Sequence, residues 1–138
     1  MLVLLVHAAD QLYCIRAASI VEIIPRVPLQ PVPHAPGALA GLLHFRSEVI
    51  PVIDLHALIS GQPSAALLST RIAVVSGARR FGLVAERVTE ALQVEESDIA
   101  PAPVTLEASR WLGGVLIHDG VVARELLVDR FDVQEAVA

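Results

Sequence analysis

Lysine is absent from this chain, and its cations are few and dispersed. All ten are arginines, spread from Arg16 to Arg130, and the formal net charge is −5. Nucleic-acid surfaces need clustered cations that displace counterions from phosphate. Only Arg79 and Arg80 are adjacent, in a segment bracketed by Gly77 and Gly82. We therefore expect no nucleic-acid partner, and we interpret this pair as a solvated turn.

Cysteine and long apolar runs are scarce as well. A single cysteine, Cys14, excludes an internal disulfide and is compatible with a reducing compartment. Its apolar neighbours favour a buried small hydrophobe over a nucleophile. No apolar run reaches the roughly 18 residues of a membrane helix, and the first residues lack the basic leader of a signal peptide. We expect a cytoplasmic protein with no direct membrane insertion.

Aliphatic residues are abundant: the chain is 54% hydrophobic but only 4% aromatic. Valine and isoleucine favour strands, so we expect a mainly β protein, and 138 residues suit one domain, 1–138. Short apolar runs between turn residues predict ten strands. These are 2–6, 12–15, 20–24, 42–45, 49–53, 72–75, 81–85, 89–94, 115–117 and 121–128.

Two kinds of segment interrupt the strand pattern. Five prolines between residues 25 and 36 predict a stiff, extended connection, with a proline-rich ligand for another domain as the alternative. Short helices are predicted at 55–59, capped by Asp54 and stopped near Gly61, and at 131–138.

An internal repeat is visible in the chain. Residues 12–24 resemble 80–92, so that Tyr13 corresponds to Phe81. Two halves of about five strands each would bury a shared face. We place their limits at approximately 12–70 and 71–128, with the N-terminal strand and the C-terminal segment crossing or packing between them. The alternative is that the similarity arises by chance, as it can in any strand-rich chain.

The most specific pattern is 41–55, GLLHFRSEVIPVIDL. It resembles the G-x-x-N-L-R-G-x-x-x-P-V-I-D-L signature of the CheW-like domain, the adaptor module of bacterial chemosensory arrays. Further likeness comes from IVEI at 20–23, FGLVAERV at 81–88 and PAP at 101–103. The resemblance covers almost the whole chain, from residue 2 to about residue 131.

This resemblance implies a fold and a function. The fold would be two SH3-like five-stranded β-barrels packed on a shared hydrophobic core, with short helices. The protein would be a non-catalytic adaptor without a cofactor, coupling the helical hairpin tip of a chemoreceptor to the regulatory domain of a CheA-type histidine kinase. Other CheW-like domains are further candidate partners, and the protein would be recruited to membrane-associated receptor arrays.

The resemblance also assigns surface positions. Its receptor-facing positions fall on Ile20, Glu22, Gly41 and Arg46, and the kinase-facing surface is assigned loosely to Ser47 and Glu48. We hypothesise that Arg46 donates hydrogen bonds to carbonyls or carboxylates of a partner helix. The alternative is an intrachain pairing with Glu22 or Glu48 that pins the hairpin.

Three residues depart from the family pattern: His44 replaces an asparagine, Ser47 replaces a glycine, and Glu86 replaces an aspartate of the second barrel. The turn after Arg46 must therefore form without glycine's freedom at positive φ, or it must be of a type that serine tolerates.

Motifs for catalysis, phosphate or metal binding are missing from the sequence. We predict no catalytic, cofactor or metal site. One rival function stays open: a small-ligand-binding domain or enzyme that uses Asp54, His44 and His56 in the cleft between the barrels. A structural module bound permanently in a larger assembly is a third.

Overall fold

A computed structural model describes residues 1–102, 110–131 and 133. Within these residues the chain forms eleven strands, one α-helix and three 3₁₀ turns. The strands are β1 (Leu2–Ala8), β2 (Gln11–Arg16), β3 (Ile20–Pro25), β4 (Leu39–Phe45), β5 (Glu48–Asp54), β6 (Arg71–Ser76), β7 (Arg80–Ala85), β8 (Arg87–Gln93), β9 (Ile99–Ala100), β10 (Leu112–His118) and β11 (Val121–Leu126). The helix is α1 (Leu55–Ser60), and the 3₁₀ turns are Ala17–Ser19, Glu96–Asp98 and Val128–Arg130.

The strands form two sheets. One has five strands in the order β3-β6-β7-β5-β4, and the other has six in the order β8-β1-β2-β11-β10-β9. Each sheet contains one parallel pair, β5 with β7 and β2 with β11, and its other pairs are antiparallel. The prediction of a mainly β fold with two small barrels is confirmed, and the two-residue β9 is the strand that the prediction lacked.

Three apolar cores hold the sheets together. The five-stranded sheet encloses a cluster that includes Phe45 and Val74, and the six-stranded sheet encloses one that includes Leu5 and Leu116. The largest cluster lies between the sheets. We call it the seam; its buried members are Val6, Ala8, Tyr13, Ile15, Ile53, Leu55, Ala73, Val75, Phe81, Leu83, Ala85, Leu126, Val128 and Phe131.

Strand β6 shows how the sequence builds this arrangement. Successive side chains of a strand point to opposite faces. Ile72 and Val74 therefore enter the interior of the five-stranded sheet, while Ala73 and Val75 enter the seam. Because both faces are buried, the strand is a continuous apolar run without alternation. Fully burying each such valine or isoleucine contributes about 1.5–3 kcal/mol.

The two sheets do not follow the expected division at residues 70 and 71. The five-stranded sheet uses strands from residues 20–85, whereas the six-stranded sheet uses 2–16 and 87–126. Strand β1 is the second strand of the six-stranded sheet, between β8 and β2. It thus corresponds to β6, the second strand of the five-stranded sheet. The expected limits allowed the N-terminal strand to cross between the halves, but they did not assign β2 to the sheet that contains β8, because only long-range pairing reveals that assignment.

The internal repeat is nevertheless visible in the pairing of the strands. Gly82 of β7 lies opposite Val52 of β5, and Cys14 of β2 lies opposite Glu125 of β11, both in parallel pairs. Gly82 and Cys14 are separated by the same interval as Phe81 and Tyr13. The two sheets are thus circularly permuted copies of one strand arrangement.

The helix predicted at 55–59 is confirmed as α1, and Gly61 ends it with φ at +78°. The strand predicted at 121–128 ends earlier, at Leu126, and a 3₁₀ turn follows. Most of the helix predicted at 131–138 lies outside the described residues. Among the helices that the structure does describe, none has the length and apolar character needed to cross a bilayer.

Candidate functional site

The turn between β4 and β5 has an unusual backbone. Phe45 pairs with Glu48, which leaves Arg46 and Ser47 as its two central residues. Arg46 has φ at +55°, whereas Ser47 is not in the positive region. A positive φ at the first central residue alone is the pattern of a type II′ hairpin turn. The turn is therefore of a type that serine tolerates, and the strain falls on Arg46 instead.

Arg46 makes two contacts within the chain. Its Nη2 donates a hydrogen bond to Oε1 of Glu22 at 3.1 Å, and its Cζ lies 4.8 Å from the centroid of the Phe45 ring. The two charged side chains remain 60% and 45% exposed, so the pair is worth about 0–1 kcal/mol. Glu22 lies on β3, at the opposite edge of the sheet from β4. The contact therefore shows that the sheet curls until its edges meet.

A second arginine extends this arrangement. Arg80 pairs with Glu48 at 2.5 Å, and its Cζ lies 5.9 Å from the same Phe45 ring. Two guanidinium groups thus flank one ring whose residue is only 6% exposed. We call Glu22, Arg46, Phe45, Arg80 and Glu48 the charged row.

The charged row corrects the interpretation of Arg80 as part of a solvated turn, and it shows which carboxylate pairs with Arg46. Arg80 is not part of a solvated turn, because it begins β7 and pairs with Glu48. Intrachain pairing of Arg46 occurs with Glu22, while Glu48 is engaged by Arg80. Sequence reasoning missed Arg80, since only the parallel pairing of β5 with β7 brings it beside Glu48.

Ile20 lies two residues from Glu22 of the charged row, but its side chain faces the seam. It is partly buried and packs against the seam, together with Ile23 and Val88. A register shift between Ile20 and Glu22 breaks the two-residue period of β3. Ile20 therefore borders the apolar seam while Glu22 stays exposed, so β3 presents an apolar and a charged position close together.

Gly41 is placed differently from the other predicted receptor-facing residues. It is buried, with φ at +148°, and an added Cβ would lie 2.8 Å from the backbone oxygen of Gln30 and 2.9 Å from Cβ of Leu29. Gln30 and Leu42 exchange two backbone hydrogen bonds of 2.9 Å. The glycine allows the proline-rich connection to lie against β4. The structure does not bring it to the surface with Glu22 and Arg46.

The carboxylate of Asp54 has a structural role, because both of its oxygens accept hydrogen bonds within the chain. Its Oδ1 accepts hydrogen bonds from the backbone N–H of His56 and of Ala57 at the start of α1. Its Oδ2 accepts from the N–H and from the hydroxyl of Ser64, at 2.9 and 3.0 Å. The predicted helix cap is confirmed. All of these contacts hold α1 and the following loop in place.

The rival catalytic residues are not assembled. His44 pairs with Val49 on β5, five residues and therefore roughly 16 Å along the strand from Asp54. The side chain of His44 contacts that of Gln30, while that of His56 contacts Ser60 and the backbone oxygen of Gln62. The structure therefore places His44 apart from the other two. In the described parts of the chain, no three His, Cys, Asp or Glu residues are grouped so that they could hold a metal ion.

Cys14 occupies the interior of the six-stranded sheet and is 1% exposed. Burial, assisted by the negative charge of Glu125, raises the pKa of its thiol to about 12. A thiol that stays protonated is a poor nucleophile. The expectation that this cysteine is a small buried hydrophobe is confirmed.

Comparison with known sequences shows a family likeness along most of the chain. A sequence model of the CheW-like domain family matches residues 2–134. The chemotaxis protein CheW of Rhizobium meliloti (strain 1021) is 30% identical over 99 residues, which cover 70% of this chain and 63% of that protein. The chemotaxis protein CheW of Helicobacter pylori is 31% identical over 98 residues, which cover 70% and 59%. These matches span about three fifths of the relatives' own lengths.

Comparison with solved structures gives the same fold. The crystal structure of the scaffolding protein TtCheW from Thermoanaerobacter tengcongensis matches with a TM-score of 0.86 and 23% sequence identity. The match covers 96% of this chain and 92% of that one.

Proposed function

Because the chain belongs to the CheW-like domain family, we propose that it is a non-catalytic adaptor of a bacterial chemosensory array. In this role it couples a chemoreceptor to a CheA-type histidine kinase. Relatives described as chemotaxis proteins, and a structural neighbour described as a scaffolding protein, support the proposal. An adaptor acts by binding two proteins at once, so that the conformation of one biases the other.

The observation that carries the proposal is the exposure and the backbone conformation of Arg46. It combines an exposed guanidinium with a strained backbone, and such strain concentrates at functional sites. The guanidinium has five N–H donors, and within the described chain it makes one hydrogen bond, to Glu22. The remaining donors are available to carbonyls or carboxylates of a partner helix.

The proposal assigns each partner to its own surface. The receptor's helical hairpin tip meets Glu22 and Arg46, with Ile20 supplying an apolar contact at the edge of the seam. Gly41 acts indirectly, by seating the proline-rich connection. The kinase's regulatory domain meets the turn side at Ser47 and Glu48. The protein works in the cytoplasm and reaches membrane-associated arrays through its receptor.

A pull-down tests the receptor surface. A receptor hairpin fragment is immobilised, and binding is measured for the unmodified protein and for Arg46→Ala. Arg87→Ala serves as control, because it removes an exposed arginine on the other sheet, outside the charged row. We expect Arg46→Ala to weaken binding about tenfold or more, as the loss of an interface arginine does, and the control to bind normally.

Thermal melting of each variant separates the two roles of Arg46. A variant whose melting temperature falls by only the few degrees that correspond to about 1 kcal/mol, but that no longer binds, places Arg46 in the interface. Melting lost together with binding assigns Arg46 to pinning the hairpin, and unchanged binding removes it from the receptor surface.

A further inference from the structure

An open groove begins at the Glu48 and Arg80 end of the charged row, and neither Glu22 nor Arg46 lines it. It is bounded by the first residues of β5, the turn between β6 and β7, and the residues after β11, and its volume is about 950 Å³. Four of the ten arginines of the chain line it: Arg79, Arg80, Arg110 and Arg130. This concentration is not apparent from the sequence, where only two of the four are neighbours.

The described lining of the groove is opposite in charge to the whole protein. It has these four arginines and two carboxylates, Glu48 and Asp129, in a chain whose net charge is −5. Glu48 engages Arg80. Arg79 and Arg130 are exposed, and neither forms an ion pair with another described residue. Two cationic groups thus project from the rim of the groove toward solvent.

Apolar groups accompany the arginines. Val49 lines the groove and is 54% exposed, although it is a large aliphatic residue on a strand. Phe131 contributes to the wall and is held rigidly, because its ring lies 5.0 Å from that of Phe81 and 5.4 Å from that of Trp111. Only Val49 is exposed, since Phe131 is 4% exposed; arginine beside an exposed aliphatic group is typical of a protein-binding surface.

We propose that this groove binds an acidic segment of a partner protein. Carboxylates of the segment pair with Arg79 and Arg130, and one of its apolar side chains covers Val49. Nucleic acid fits less well, because Glu48 and Asp129 would lie against phosphate in an acidic protein. A small molecule fits less well too, because in the described part of the chain no buried side-chain polar atom is left without a hydrogen-bond partner to fix it.

The test uses a synthetic helical peptide of Glu, Leu and Ala, with leucines three and four residues apart. It is titrated into isotope-labelled full-length protein, and backbone amide shifts are followed by NMR up to about 1 mM peptide, where even weak complexes form. A peptide with lysine in place of glutamate is the ligand control. We expect amide shifts confined to residues 48–50, 78–80 and 129–131 with the acidic peptide only.

Matched variants give the charge dependence. The double variant Arg79→Glu, Arg130→Glu should weaken the acidic peptide's binding at least about tenfold and reduce its dependence on salt. The control, Arg26→Glu, Arg87→Glu, changes the net charge equally but alters exposed arginines outside the groove, and it should bind like the unmodified protein.

Four results would overturn the proposal: no shift with the acidic peptide, shifts at other residues, equal weakening in both double variants, or tighter binding of a DNA oligonucleotide in the groove. Both double variants leave Glu22 and Arg46 in place. Failure here would therefore leave the receptor pull-down unaffected, and failure of the pull-down would leave this proposal standing.

Discussion

Replacing Arg46 by glycine and by alanine should separate its backbone strain from the chemistry of its side chain. Both changes remove the hydrogen bond to Glu22 and the contact with Phe45. An exposed ion pair contributes about 0–1 kcal/mol and an exposed cation–π contact about 0.5–1 kcal/mol. Alanine keeps the cost of a positive φ, so Arg46→Ala should lose about 1 kcal/mol of unfolding free energy.

Glycine removes that backbone cost. A strained backbone with positive φ costs a non-glycine residue about 1–3 kcal/mol, while the extra freedom of glycine in the unfolded chain costs about 0.5–1 kcal/mol. Arg46→Gly should therefore be more stable than Arg46→Ala by roughly 0.5–1 kcal/mol, and close to the unmodified protein.

Urea unfolding measures this difference. For a small domain, free energy falls by about 1–3 kcal/mol per molar urea, so the midpoints of the two variants should differ by about 0.5 M. Binding to a receptor fragment should be lost equally in both. A glycine variant less stable than the alanine variant would refute the argument from strain. A glycine variant that regains binding would show that Arg46 only shapes the turn.

Three further predictions concern the residues that hold the site in place. Gly41→Ala should destabilise the fold by about 1–3 kcal/mol and make the proline-rich connection more sensitive to proteolysis, because the new methyl group meets Gln30; unchanged stability would refute the close approach. Asp54→Ala should cost about 2–4 kcal/mol in chemical unfolding, since it removes a helix cap and leaves Ser64 without its acceptor; a loss below about 0.5 kcal/mol would show that the cap is dispensable. Cys14 should resist Ellman's reagent at pH 8 until urea unfolds the protein, because burial raises the pKa of the thiol to about 12, and rapid labelling of the folded protein would contradict its burial. As its pKa is raised above the ordinary value of 9.0, its contribution to stability is complete below pH 9 and is lost as the pH rises from there, a slope that Cys14→Ala should lack.

Much of the fold could be predicted from local patterns. Ten of the eleven strands in the described chain correspond to short apolar runs bounded by turn residues, and Asp54 before an apolar segment marked the start of α1. These features depend on neighbours in the sequence, where strand period and capping chemistry act. The pairing of Glu22 with Arg46 was one of two alternatives, because charge and an edge position suggested it without fixing the partner.

Other features depend on pairing between distant strands. The exchange of strands between the sheets follows from β1 pairing with both β2 and β8, and no local period encodes that choice. The positive φ at Arg46 follows from the two-residue register of the hairpin. β9 has only two residues, too few for any period to be visible.

The surface positions assigned from the family resemblance differ in where the structure places them. Glu22 and Arg46 meet in an exposed pair, and Ile20 lies at the margin of the seam, which agrees with a shared partner surface. Gly41, by contrast, occurs in the signature because the connection at Gln30 passes too close for any side chain. A sequence motif can thus include residues that shape the backbone beside residues that stay exposed, and only the three-dimensional structure distinguishes the two.

The measurement that tests the adaptor function most directly is sedimentation of the protein with a receptor hairpin fragment and a kinase regulatory domain, together and in pairs. The proposed function predicts one complex that contains all three, in which receptor and kinase fragments sediment together only when this protein is present. Competition between the two fragments, so that either one displaces the other, would contradict it.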